Sequence, residues 1–153
     1  MSNNEPVTVE RALPEQFREI AELDRVVWNG DQDCPDGVHA WRVWCEYAVV
    51  FVATQKDAVV GVALLFPSEK EPRGYFLHKL FVKTEHRGRG VGRRLMSACD
   101  SFLGEERTCL LTTSPDNGAM QRLCSLYGFV LQERVQDYYG PEKSRLIMVR
   151  KNA

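Results

Sequence analysis

The 153 residues carry 20 Lys and Arg against 21 Asp and Glu, a net charge of −1, so no global field exists to hold nucleic acid or an anionic membrane. The length suits one domain with a single core, no apolar run approaches the roughly 20 residues that span a bilayer, and Met1-Ser2-Asn3-Asn4-Glu5 lacks the basic and apolar pattern of a signal peptide. Five cysteines, odd in number and without a C-x-x-C pair, argue against a disulfide framework or a zinc site. The expectation is one domain over residues 1–153, cytoplasmic, with reduced thiols and with no metal, nucleic acid or membrane as partner.

In chain order, Val7-Thr8-Val9-Glu10 is a short strand pattern. Pro14 then sits where a first helical residue tolerates proline, and Phe17, Ile20, Ala21, Leu23, Val27 and Trp28 recur at helical spacing, predicting an amphipathic helix over 14–28. A loop with three aspartates, Asp31, Asp33 and Asp36, leads to a second helix over 38–45 that holds Trp41 and Trp44. Those tryptophans read either as core or as a wall for a substrate. Residues 48–53 and 59–66 form a hairpin around Gln55-Lys56-Asp57, and a longer strand follows over about 75–82. Val91, Leu95, Met96, Cys99 and Phe102 line one helix face ending near Gly104. Next come a strand over 109–113, a capping turn Ser114-Pro115-Asp116-Asn117, a helix over 118–127 that stops at Gly128, and two closing strands over 129–135 and 145–150. This alternation predicts an α/β (α+β) fold, a mixed sheet with helices on both faces.

The stretch with chemistry in it joins the long strand to the third helix: Arg87-Gly88-Arg89-Gly90-Val91-Gly92-Arg93-Arg94. Glycine at every second position lets the backbone approach a ligand closely. Helix-start N–H groups have no intrahelical partner and sit at the positive dipole end, so an anion suits them, and arginine forks match phosphate oxygens. A P-loop would need Gly-Lys-Ser/Thr, and Gly92 is followed by Arg93. A dinucleotide fingerprint would need G-x-G-x-x-G, and the spacing here is G-x-G-x-G.

Arg87 through Gly92, Arg-x-x-Gly-x-Gly after an apolar strand, resembles the acyl-CoA pyrophosphate loop of the GNAT N-acetyltransferase superfamily. Asn117 to Phe129 aligns without gaps on a second motif of that family, Asn-x-x-Ala-x-x-Leu-Tyr-x-x-x-Gly-Phe, with Met120 for the alanine and Cys124 for the tyrosine. The resemblance implies a mostly antiparallel mixed sheet of about seven strands flanked by about four helices, and acetyl-CoA as co-substrate. It places the pantetheine arm on Leu80, Phe81 and Val82, the pyrophosphate on Arg87, Gly88, Arg89, Gly90, Val91, Gly92 and Arg93, and a further arm contact on Asn117. The reaction it implies is acetyl transfer to a primary amine of a small molecule or peptide, by direct attack in a ternary complex.

In many members the tyrosine at position 124 protonates the departing CoA thiolate. Cys124 either donates a proton there or packs. A CoA thiol close to cysteine in pKa, about 8.5, leaves without a strong acid. Some ribosomal-protein alanine acetyltransferases place a glutamate at position 112, where Thr112 cannot act as a base. Leu77-His78-Lys79-Leu80-Phe81-Val82 resembles arylalkylamine acetyltransferases, which carry a catalytic histidine at the point of His78. With a reference pKa of about 6.5 an imidazole takes a proton at neutral pH; the alternative is a strand histidine with no chemical role. Trp28 and Asp33 suit a cationic amine. Tyr138 and Tyr139 resemble the paired tyrosines of protein N-terminal acetyltransferases, although Ser144-Arg145 stands where Asp-Ala is expected. A non-catalytic acyl-CoA-binding module is the rival of another class; a homodimer, as in many members of the family, would need an exposed apolar edge near the closing strands, and the sequence shows none.

Overall fold

A computed structural model describes residues 5–29 and 34–151. Its elements are β1 (Thr8–Arg11), a 3-10 turn (Pro14–Gln16), α1 (Phe17–Val27), α2 (Val38–Tyr47), β2 (Val49–Gln55), β3 (Ala58–Pro67), β4 (Gly74–Val82), a second 3-10 turn (Thr84–His86), α3 (Val91–Leu103), β5 (Thr108–Thr113), α4 (Gly118–Leu126), β6 (Phe129–Val135) and β7 (Arg145–Arg150). The strands are ordered β1-β2-β3-β4-β5-β7-β6 in one seven-stranded sheet. The expected mixed α+β architecture is therefore present, with four α-helices among the described residues. The main departure from expectation is at 14–16, where proline starts a 3-10 turn and the α-helix begins only at Phe17.

The residues group into two compact units, one formed by the chain up to Leu65 with Lys79–Cys99, the other by Phe66–His78 with the chain from Asp100 onward. In the first unit β1 and β3 both pair antiparallel with β2. Lys56 and Asp57 take positive φ of 52° and 62° between β2 and β3, the twist that a two-residue hairpin turn requires. From Val59 to Leu65 every residue of β3 is buried, which is why that strand reads as a continuous apolar run rather than an alternation. Ile20, Ala21 and Leu23 of α1 and Trp41 and Cys45 of α2 add to this core. Trp41 is wholly buried, with its ring centroid 6.1 Å from that of Phe81. It is core, not a substrate wall. A Cβ on Gly61 would stand 2.9 Å from Leu95 Cδ1, 3.1 Å from Val91 Cγ1 and 3.2 Å from the Phe81 carbonyl, so this glycine lets the start of α3 seat closely on β3.

In the second unit β4 and β5 are parallel over Gly74↔Thr108, Tyr75↔Cys109 and Phe76↔Leu110. β7 pairs antiparallel with β5 on one side and β6 on the other, with a bulge in β6 between Leu131 and Glu133. Arg150 is buried and ties the sheet to the end of α3: its guanidinium donates to Asp100 Oδ1 (3.0 Å), the Gly104 carbonyl (2.9 Å) and the Arg107 carbonyl (3.2 Å). The Gly104 carbonyl lies just past the C-terminus of α3, where a cation is favoured.

Candidate functional site

The link between β4 and α3 is built by local hydrogen bonds. Lys83 N–H donates to the Val60 carbonyl (2.8 Å), His86 N–H to the Lys83 carbonyl (2.8 Å) and Arg87 N–H to the Thr84 carbonyl (3.3 Å). The His86 ring sits 3.0 Å from Gln55 Oε1 through Nε2, which braces the turn against β2. The chain then passes through Gly88 and Gly90 at φ +75° and +82°. Open space surrounds both Cβ positions, so it is the backbone conformation that selects glycine there. Gly92 already lies within α3. The first helical bond joins Arg94 N–H to the Gly90 carbonyl at 3.1 Å, and N–H groups ahead of it are the open donors of a helix start. No acidic residue lies in this first turn, and Arg87, Arg89, Arg93 and Arg94 are all exposed around it. A pair of phosphates fits this donor set: oriented amides, a positive dipole end and several guanidinium groups.

Leu80 and Val82 are partly exposed on β4, whereas Phe81 is buried against Trp41. The Phe81 side chain is therefore core and not offered to a ligand. Arg87 Nε donates to the Val82 carbonyl at 3.3 Å, which joins the strand end to the loop.

The same unit holds a network that sequence reasoning missed. Asp24 of α1 is fully buried and accepts from Lys79 Nζ (2.7 and 2.8 Å), Trp41 Nε1 (3.0 Å) and Asp36 N–H (2.8 Å). Lys79 also meets Asp36 Oδ2 at 2.9 Å and the Cys34 carbonyl. The buried charges are thus paired and hydrogen-bonded, as they must be, and they fasten the segment before α2 to β4. Two sequence signals existed: an aspartate in the apolar stripe of α1 and a lysine inside the apolar run 77–82. Trp28 ends α1, and its Nε1 is buried without a hydrogen-bond partner among the described residues. Asp33 lies outside the described residues.

The other expected residues belong to the second unit. His78 is exposed on β4, its ring 5.6 Å from Phe66 and 6.5 Å from Phe76. Asn117 is exposed and caps α4, Oδ1 accepting the Met120 amide at 3.1 Å; its capping leaves the amide nitrogen for other contacts. Cys124 is wholly buried, and burial pushes its thiol up to about 11, which suits packing better than proton transfer. Tyr138 and Tyr139 are half exposed with centroids 4.9 Å apart. Their loop is held by Gly140 N–H to the Asp137 carbonyl (3.0 Å) and Tyr139 N–H to the Lys143 carbonyl (3.3 Å). Beneath it Arg145 donates from Nε to Thr112 Oγ1 (3.2 Å) and from Nη2 to the Thr112 carbonyl (2.9 Å), its guanidinium 5.4 Å from the Tyr139 ring centre. Arg145 also escaped sequence reasoning, which saw in it only a departure from a family pattern. Among the described residues no group of three or more His, Cys, Asp or Glu side chains is placed to hold a metal ion, and no helix is long and apolar enough to cross a membrane.

The profile of the family described as "Acetyltransferase (GNAT) family" matches residues 14–129. An uncharacterized protein of Mycobacterium leprae is 26% identical over 156 residues, covering 99% of this chain and 42% of that protein; the chain thus spans less than half the length of this curated relative. Among solved structures, yncA from Salmonella typhimurium, solved with its cofactor acetyl-CoA, is similar at TM-score 0.82 and 18% identity, covering 97% of this chain and 95% of that one. The ribosomal-protein-S18-alanine N-acetyltransferase of Escherichia coli gives 0.79 and 18% over 97% and 96%. A chimera of the Vibrio cholerae spermidine N-acetyltransferase SpeG with hSSAT gives 0.77 and 14% over 95% and 95%. At these identities the likeness is one of fold.

Proposed function

Since the chain belongs to the acetyltransferase (GNAT) family, a family of acetyl-CoA-dependent acyltransferases, we propose that it transfers an acetyl group from acetyl-CoA to a primary amine of a small molecule or peptide by direct attack in a ternary complex. The observation that carries this reading is the open start of α3, reached through Gly88 and Gly90 at positive φ and ringed by exposed arginines. We read residues 1–153 as one acetyltransferase domain.

Acetyl-CoA supplies an activated thioester. The amides of Val91 and Gly92, with Arg87, Arg89 and Arg93, would hold its pyrophosphate, and the backbone of Leu80, Phe81 and Val82 would lie along its arm. Backbone N–H groups of that strand stabilise the negative charge that develops on the carbonyl oxygen as the amine attacks. His78 is the candidate base: it is exposed on β4, and an imidazole nitrogen can accept a proton from an amine. The work left for a base depends on the acceptor. A lysine-like amine with pKa about 10.4 costs about 4 to 5 kcal/mol to neutralise at pH 7, an α-amino group at about 7.7 to 8.0 only about 1 to 1.5. The CoA thiolate departs unaided, which leaves Cys124 a packing role. Trp28 and Asp33 would contribute to the acceptor side.

A second reading, a protein N-terminal acetyltransferase, is favoured by Tyr138 and Tyr139 standing half exposed on a hydrogen-bonded loop. CoA-thiol release from acetyl-CoA, measured against polyamines, arylalkylamines, aminoglycosides and peptides with free N-termini, tests both. Release well above hydrolysis with any of them supports transfer, and confinement to peptides selects the second reading. Acetyl-CoA binding without acceptor-dependent release across the panel contradicts catalysis and favours an acyl-CoA-binding module.

A further inference from the structure

Arg145 stands out among the partly buried cations of the second unit because the fold orients it without neutralising it. Its two hydrogen bonds go to the hydroxyl and carbonyl of Thr112, and the Tyr139 ring covers one face. Among the described residues no carboxylate lies within ion-pair distance of it, whereas Arg150 of the same unit pairs with Asp100. A guanidinium has five N–H donors. Thr112 takes one from Nε and one from Nη2, so the side-on edge of the fork is occupied and three remain, two of them at the end formed by Nη1 and Nη2. That end is the one that receives a carboxylate bidentately, oxygen to nitrogen, in the plane of the group. Held at Nε, at Nη2 and over one face, the fork is fixed before any ligand arrives, which is what selective recognition requires.

Its place on the sheet gives this fork something to do. The ladder between β4 and β5 ends at Phe76↔Leu110, and Thr112 lies two residues further along β5, so Arg145 covers the part of β5 beyond that ladder. We propose that Arg145 is the specificity determinant of the acceptor site and that the acceptor is an amine carrying a carboxylate a short distance from its nitrogen. This rests on the acetyl-transfer reading and narrows its substrate class. The carboxylate pairs with the Nη1 and Nη2 end of the fork, and Tyr138 and Tyr139 flank the rest of the molecule. The same charge works against polyamines, whose second ammonium would meet an unneutralised guanidinium.

The test is calorimetric binding of matched amines to the protein loaded with CoA, which cannot react: leucine against isopentylamine, ornithine against putrescine, and a tripeptide amide beginning with Glu against one beginning with Gln. The first two pairs report an α-carboxylate and the third a side-chain carboxylate. In the wild type the carboxylate member of at least one pair is expected to bind about 10-fold tighter or more, and Arg145→Gln is expected to erase that difference while CoA affinity stays constant. Arg145→Lys keeps the charge but not the fork and retains only part of the preference; with Thr112→Val, which removes one orienting bond, it serves if Arg145→Gln folds poorly. Equal binding within every pair, a preference that survives Arg145→Gln, or no binding of any probe up to about 10 mM overturns the proposal. CoA-thiol release with acetyl-CoA is measured separately: a carboxylate preference without turnover leaves Arg145 as the recognition group and removes the transfer reading instead.

Discussion

Helix α3 begins after two left-handed glycines among exposed arginines, whereas α4 begins on Asn117, whose own Oδ1 takes the Met120 amide at 3.1 Å. The two starts share the same backbone chemistry, a set of N–H groups without intrahelical partners at the positive end of a dipole. They differ in who satisfies it. At α4 the chain caps itself, and the helix end is closed to an outside anion at that amide. At α3 the residue ahead of the helix is Gly90, which has no side chain to cap with, position 88 is also glycine, and the neighbours are cations that favour an incoming anion rather than replace it. A self-capped start contributes to stability, and an uncapped cationic start is available for binding.

The contrast breaks most completely at Gly90. Gly90→Glu forces a side chain onto φ +82° and puts a carboxylate where phosphate would sit, so acetyl-CoA affinity is expected to fall at least about 100-fold with the far-ultraviolet dichroism unchanged. Calorimetry decides, and unaltered affinity would remove the phosphate site from this loop. A smaller effect is expected one layer below. Gly61→Val presses on Leu95 and Val91 of the first turns of α3, costing about 1 to 3 kcal/mol of stability by overpacking and weakening acetyl-CoA binding through a displaced helix start. At α4 the reverse pattern should appear: Asn117→Ala costs about 1 kcal/mol in chemical denaturation, while Asn117→Asp, which keeps the cap, costs much less.

The last effect concerns protons. Burial pushes Cys45 and Cys124 up to about 11 and Cys109 up to about 12, from an ordinary 9.0. Above pH 9 the unfolded chain releases protons that these folded thiols keep. Stability due to them is therefore full below pH 9 and falls as pH rises toward 11, by up to about 1.4 kcal/mol per thiol per pH unit. Urea denaturation at pH 7.5 and pH 10 measures the slope, and Cys109→Ala is expected to fall less steeply than the wild type. An identical slope would mean that burial of this thiol carries no such penalty.

The backbone of the glycine loop was legible in sequence because everything it needs is local. A strand, two glycines that must adopt positive φ and a helix start all lie within consecutive residues, and their periodicities change at the boundaries. The closing strands were equally plain, predicted over 129–135 and 145–150 and found there. Asp24, Lys79 and Arg145 were not legible, because each acquires its meaning from a partner far along the chain: 55 residues separate Lys79 from Asp24, and 33 separate Arg145 from Thr112. Their residue types were nonetheless out of place in their patterns, a charge in an apolar stripe or run and an arginine in place of Asp-Ala. Such mismatches marked the spots without giving the contacts. The tryptophan at 41 shows the converse, a residue open to two readings that the core resolves.

The most direct measurement is the affinity of CoA compared with that of pantetheine, which has the arm but no pyrophosphate, by calorimetry at low and at moderate salt. If the start of α3 is the anion site, CoA binds at least about 100-fold more tightly than pantetheine and the difference shrinks as salt rises. Equal affinity for the two, or a difference indifferent to salt, would contradict the account.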